Sequence, residues 1–229
     1  MKFLGRLNHP VEEMHGKRKL CIGLIAILTM SGACGENLRV ANTPPAEEYH
    51  ATTDIPSPSI QKLVESALAQ TQRTRGYTQE YFVIAYPGGD VPPETGACTD
   101  VIIRGFRAAG VDLQRSVHED MAANFTAYPN KWGLRFPDRN IDHRRVPNLQ
   151  TFFTRQGKAL PVTANASDYK PGDVVSWDLD GKGTTHIGLV SNLWNERSKR
   201  YLIIHNIGAG VNAEDRLFDW KITGHFRYF

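Results

Sequence analysis

The chain has 229 residues, 41% of them hydrophobic, which is enough to bury the core of one domain. Its formal net charge is +3, and that excess sits in residues 1–33, where five basic side chains face two acidic ones; the remainder balances at 22 against 22. A neutral body argues against nucleic acid as the main partner, because that binding is driven by phosphate neutralisation, and three cysteines, Cys21, Cys34 and Cys98, argue against a disulfide framework.

Lys17-Arg18-Lys19 precedes the apolar run Leu20 to Met30, followed by Ser31-Gly32-Ala33 and Cys34. A basic start, an apolar run too short to span a bilayer comfortably and a small-residue cleavage site mark residues 1–33 as an export signal. Two processing outcomes are open. General signal peptidase cuts after Ala33, or lipid is added to Cys34 in the lipoprotein-like box Ala33-Cys34-Gly35, where Ser31 stands at a position that favours Leu. The expected location is the periplasm, or the bacterial outer membrane reached through a lipid anchor on Cys34. Residues 34–58, with Pro44-Pro45 and Pro56-Ser57-Pro58, read as a tether, and residues 59–229 as one domain.

In that domain Ser57 caps a helix with Pro58 at its first position, and Ile60, Leu63, Val64, Ala67 and Leu68 form its apolar stripe. Tyr81 to Tyr86 is a strand or extended segment entering a loop rich in Gly and Pro. A helix is predicted from Cys98, with Gly110 just past its end. Ser116 to Tyr128 and Val146 to Gln156 read as further helices. From Tyr169 the period changes to two: Asp173 to Trp177, Thr185 to Ser191 and Tyr201 to Asn206 read as strands, with a hairpin loop at Asp178 to Gly183, and Ile222 to Phe229 closes the sheet. Helices first and an antiparallel meander second make an α+β layout.

Cys98 is the candidate nucleophile. At a helix N-terminus it meets unpaired backbone N–H groups and the positive end of the dipole, which favour the thiolate. A cysteine nucleophile needs a base, and the base needs a partner that fixes its ring. His186 at a strand start and His205 near the end of the next strand supply these, with Asn206 on the opposite face by alternation. The plainer reading is a small buried cysteine and a hydrogen-bonded structural histidine. The charged loop Phe136 to Arg145 reads either as a solvated surface or as a rim in which Arg139, Arg144 and Arg145 bind substrate carboxylates. No paired Cys-x-x-Cys or His-x-x-x-His spacing is present, so neither a metal nor a cofactor is expected.

Tyr86-x-Gly88-Gly89, Cys98 at a helix start, Pro171-Gly172-Asp173, His186-Ile187-Gly188 and Ile204-His205 together resemble the NlpC-type branch of papain-like cysteine peptidases. More closely, Ile60 to Phe229 resembles a bacterial family known as domain of unknown function 1287. The resemblance implies a papain-like fold with the cysteine helix packed on a small antiparallel sheet, and hydrolysis of amide bonds in peptidoglycan stem peptides. It assigns Cys98 as nucleophile, His186 as base, His205 as the orienting residue and Tyr86 as a site-lining tyrosine that helps the oxyanion hole. Where the family has Asp-Cys-Ser-Gly, this chain has Ala97-Cys98-Thr99-Asp100. A thiol-dependent acyl or amide transferase and a catalytically silent peptidoglycan-binding lipoprotein are the alternatives.

Overall fold

The computed structural model describes residues 49–229. The export signal and Cys34 lie outside the described residues.

Among the described residues four α-helices form as local sequence dictates. Helix α1 (Pro58–Ala69) starts where the Ser57 hydroxyl accepts from the Ile60 N–H at 3.2 Å, with Pro58 at its first turn. Helix α2 runs Cys98–Ala108, and the chain turns out of it at Gly110, whose φ of 91° suits a residue without a Cβ. Helix α3 (Leu113–Ala123) begins three residues before the predicted start, because the Asp112 carboxylate accepts from the Gln114 and Arg115 N–H groups and caps it there. Helix α4 spans Val146–Arg155.

The strands are β1 (Tyr49–Ala51), β2 (Ala159–Leu160), β3 (Val174–Asp178), β4 (Thr185–Asn195), β5 (Arg200–Asn206), β6 (Val211–Glu214) and β7 (Lys221–Phe226). They form one antiparallel sheet in the order β2-β7-β3-β4-β5-β6, with β1 paired to the far end of β4. The layout is α+β. Strand β1 falls within the stretch expected to be a tether; its residues pair with Leu193, Trp194 and Asn195. Strands β1, β2 and β6 carry no predicted counterpart, since each is short and mostly polar or exposed. Tyr81 to Tyr86 is not paired into the sheet.

Both faces of the sheet are buried. Val174, Ile187, Leu189 and Ile204 meet the helices through Leu63, Ile102, Phe106 and Leu149. Their neighbours Val175, Trp177, Val190 and Ile203 face the other way, against Tyr169 and Leu217. Such two-sided burial explains why the central strands read as continuous apolar runs. The ladder sets Trp177 opposite His186 and Leu189 opposite Ile204, and this places the start of β4 beside the start of α2.

Candidate active site

Cys98 is the first residue of α2, and four contacts fix the backbone around it. Asp100, one turn in, accepts from the Ala97 N–H at 2.6 Å, supplying the cap that an alanine cannot. The same carboxylate takes two hydrogen bonds from the Arg144 guanidinium, at 2.9 and 3.0 Å, in a pair whose side chains are only 2% and 3% exposed. Thr99 donates its hydroxyl to the Arg144 carbonyl at 3.1 Å. Asn206, on the helix-facing side of β5, donates to the carbonyls of Gly96 and Gly76 at 2.9 and 3.1 Å. The sequence Ala97-Cys98-Thr99-Asp100 therefore holds the helix start through Arg144, and Arg144 is spent on that task.

The thiol is 4% exposed. Backbone N–H groups of Ile187, Thr99 and Cys98 itself point at the sulfur and favour the thiolate, but burial outweighs them and pushes the thiol up to about 11, helped by the nearby Asp100 charge. The N–H groups expected at a helix start are present. Desolvation, which sequence does not reveal, decides the resting form as a neutral thiol.

His186 and His205 are joined by a hydrogen bond of 2.9 Å between Nε2 of the first and Nδ1 of the second. Nε2 of His205 then reaches Glu214 Oε2 at 3.0 Å. The direction of this chain follows from its end. A carboxylate only accepts, so His205 Nε2 carries hydrogen, His205 Nδ1 accepts, and His186 Nε2 donates to it. The neutral His186 ring is left with a bare lone pair on Nδ1. Burial, with His205 beside it, pushes His186 down to about 3, so the neutral ring is its form at physiological pH. The burial comes from two indoles: Trp177 and Trp220 each lie with ring centroids 5.9 Å from that of His186. Gly188 permits the close approach of β5, since a Cβ there would come within 2.7 Å of Ile203 Cγ2 and 3.2 Å of His205 Cβ.

Alternation along β4 sends the Ile187 side chain toward the helices and His186 toward Trp177. The sulfur accordingly meets the strand at the Ile187 N–H, one peptide unit from the His186 ring. Among the described residues no hydrogen bond joins Cys98 to His186.

A cleft of about 290 Å³ opens at Cys98, walled by Tyr77, Gln79, Ala97, Arg145 and Thr185. Tyr77 is a site residue that the sequence reading missed. Burial first, and the nearness of Cys98 second, raise its phenol, which accepts from Gln79 Nε2 at 2.6 Å. It lies in an irregular segment with no periodicity to announce it. Tyr86 and Arg139 stand elsewhere: neither lines the cleft, Tyr86 packs its ring 5.3 Å from His118, and Arg139 lies 5.7 Å over that tyrosine. Of the three arginines expected at a rim, Arg144 and Arg145 both line the cleft; the Arg144 guanidinium is held by Asp100, and Arg145 is paired with Asp142 at 3.0 Å. Glu214 was also missed, because it sits on the short edge strand β6. Among the described residues no group of three or more His, Cys, Asp or Glu is placed to hold a metal ion.

The family model described as a domain of unknown function (DUF1287) matches residues 64–228. The uncharacterized protein YijF of Escherichia coli K12 is 47% identical over 212 residues, covering 92% of this chain and 98% of that protein. Among solved structures, NlpC1 from Trichomonas vaginalis is similar with a TM-score of 0.40 and 13% identity, covering 78% of this chain; the chain spans 46% of that structure.

Proposed function

We propose that this chain, which belongs to the family of domain of unknown function 1287, is an exported cysteine hydrolase that cleaves amide bonds in cell-wall peptides. The observation that carries the reading is the ordered chain Glu214–His205–His186, which leaves a bare nitrogen on His186, the residue next to Ile187, whose backbone N–H points at the Cys98 sulfur at a helix start.

The resting pair is neutral, so the proton moves only as the bond forms. A substrate carbonyl enters the cleft, Sγ of Cys98 attacks its carbon, and His186 Nδ1 takes the thiol proton. The His186 ring lies on the Trp177 side of β4, so this transfer requires the start of β4 to rearrange toward the sulfur when substrate enters. Backbone N–H groups at the start of α2 and the Tyr77 hydroxyl meet the oxygen that becomes negative. His186 returns the proton to the leaving amine, giving a thioester. Water then attacks that thioester, again losing its proton to His186, and the carboxylate product departs with the thiol restored. His205 and Glu214 keep the ring in the tautomer that can accept, and they disperse the positive charge it gains. Of the two arginines at the cleft wall, Arg145, paired with Asp142 but less buried than Arg144, is the one offered to a carboxylate of a stem peptide. The export signal and the Cys34 box, which lie outside the described residues, bring the enzyme to that substrate.

The test is mass spectrometry of cell-wall sacculi incubated with the full chain beside its Cys98→Ala variant. New stem-peptide termini are expected with the native chain and none with the variant. Release by Cys98→Ala overturns the reading. Binding of sacculi without release by either protein identifies a silent peptidoglycan-binding envelope protein, the reading that the buried neutral thiol favours.

A further inference from the structure

Away from the cleft, a hollow of about 410 Å³ lies between the end of α1 and the second half of α2, lined by Ser66, Ala69, Arg73, Asp90, Arg104 and Arg107 among others. The body beyond residue 33 is neutral, with 22 basic and 22 acidic side chains. Within it Arg144, Arg145, Arg155, Arg200 and Arg227 each bond to a carboxylate that no other arginine shares. The hollow breaks that pattern. Three arginines line it and Asp90 is the one acid among its lining residues, which leaves two positive charges in surplus.

The three arginines are engaged to different degrees. Arg104 is spent on structure. Its side chain is 10% exposed, Nε donates to Asp90 at 2.9 Å, and the terminal nitrogens hold Thr74 Oγ1 and the carbonyls of Val91, Pro92 and Thr95. Arg107 gives Nη2 to the Gly89 carbonyl at 2.8 Å, while its Nη1 stands 3.6 Å from the same Asp90, an ion pair without a hydrogen bond. Among the described residues that Nη1 has no hydrogen-bond partner, and the exposed Arg73 side chain has neither a hydrogen bond nor an ion pair. Like charges gathered on one concave wall repel each other, and the field they raise there favours an anion.

We infer that this hollow is an anion site that takes a phosphate monoester group. Such a group carries a charge of about −2 near neutral pH, which matches the surplus, and its oxygens accept from Arg107 Nη1 and from the Arg73 fork, the geometry in which guanidinium suits phosphate. The volume lies within the range of about 300–1,000 Å³ usual for small-ligand pockets. The site is independent of the hydrolase reading. A soluble phosphate and a phosphorylated lipid headgroup present the same chemistry to it.

Calorimetry on the full chain at low salt, with inorganic phosphate and with dimethyl phosphate, tests this, because the second probe keeps the tetrahedral centre with a single charge. Phosphate is expected to bind about tenfold more tightly than dimethyl phosphate. Arg73→Gln weakens phosphate about tenfold, the effect of one lost charged hydrogen bond. Ala69→Glu, at an exposed position on the rim, sets a carboxylate beside the arginines and abolishes phosphate binding, with the melting temperature near native. No phosphate binding by the native chain, equal affinity for the two probes, or affinity unchanged in both variants overturns the inference. Phosphate binding persists in Cys98→Ala, so failure of hydrolysis and failure of this site are read separately. Flotation with phosphatidylcholine vesicles, with and without phosphatidic acid, identifies the source. Retention that needs phosphatidic acid and is lost in Ala69→Glu assigns a lipid headgroup; phosphate binding in the calorimeter without such retention assigns a soluble phosphate.

Discussion

Two histidine–carboxylate pairs stand on the same sheet, and they differ in what surrounds the carboxylate. His225 on β7 reaches Asp173 at 2.8 Å, and its other ring nitrogen ends on the Pro161 carbonyl at 3.2 Å. Asp173 is 0% exposed and also accepts two bonds from Arg227, both at 2.7 Å, and one from the Lys170 N–H at 2.8 Å. Oδ2 accepts three of these bonds and Oδ1 one, and Tyr169 stacks on the imidazole with centroids 4.2 Å apart, so the pair is held from several sides. Glu214, by contrast, is 36% exposed on its side chain, and the far nitrogen of His205 ends on another imidazole. The first pair is a knot that ties β7 to the turn before β3. The second is a chain whose last ring, His186, keeps a bare nitrogen and stands next in sequence to Ile187, whose N–H meets the Cys98 sulfur. Residue type alone does not separate these two pairs; the fate of the second ring nitrogen does.

The largest contrast comes from breaking each pair in turn. His186→Ala is expected to lower kcat roughly 10²- to 10⁴-fold, the usual range for a lost general base, with little change in melting temperature. Asp173→Ala does the reverse. It leaves His225 and Arg227 without their acceptor and is expected to cost about 3–5 kcal/mol of stability, while the fraction that stays folded keeps native specific activity. Denaturant melts and turnover on cell-wall peptides, run on both variants, check this. A loss of kcat in folded Asp173→Ala as large as in His186→Ala would erase the distinction.

Much of this layout was legible in the chain. The Ser57-Pro58 start, the helix opening at Cys98, the stop at Gly110 and the hairpin around Gly181 follow from local stereochemistry. The spacing of His186, Gly188 and His205 carried the meeting of two strands, because period two and a missing Cβ leave one geometry. What escaped the sequence depends on tertiary surroundings. Glu214 sits on an edge strand too short to show alternation, and Tyr77 on a segment held by Asn206 rather than by its own pattern. Arg144 reads in sequence like Arg139 and Arg145; only the fold shows that Asp100 captures it. The resting state of Cys98 escaped for a related reason, since helix-end N–H groups are a local feature and desolvation is not.

A smaller effect sharpens the contrast at its open end. Glu214→Gln keeps an oxygen that can accept from His205 but removes the charge. Burial lowers the His205 pKa, and the Glu214 charge and hydrogen bond act against that fall. Without the charge, protonation of the histidine chain moves to lower pH. Glu214→Gln is therefore expected to reduce kcat less than His186→Ala does and to shift the acid limb of the kcat profile downward. An unshifted limb would make Glu214 a bystander.

The smallest expected effect concerns the thiol at rest. With Cys98 pushed up to about 11 and His186 down to about 3, thiol and imidazole are both neutral across the physiological range. Alkylation by iodoacetamide follows the thiolate fraction, so its rate should rise about tenfold per pH unit from 6 to 9 and show no plateau. An ion pair would behave differently. It would hold a reactive thiolate at pH 6, and loss of the imidazolium would abolish that reactivity. His186→Ala is accordingly expected to leave the alkylation rate at pH 7 close to native, even though it removes most turnover. A plateau near neutral pH in the native chain, lost in His186→Ala, would mean that thiolate and imidazolium already exist before substrate arrives, and that the proton does not wait for the bond to form.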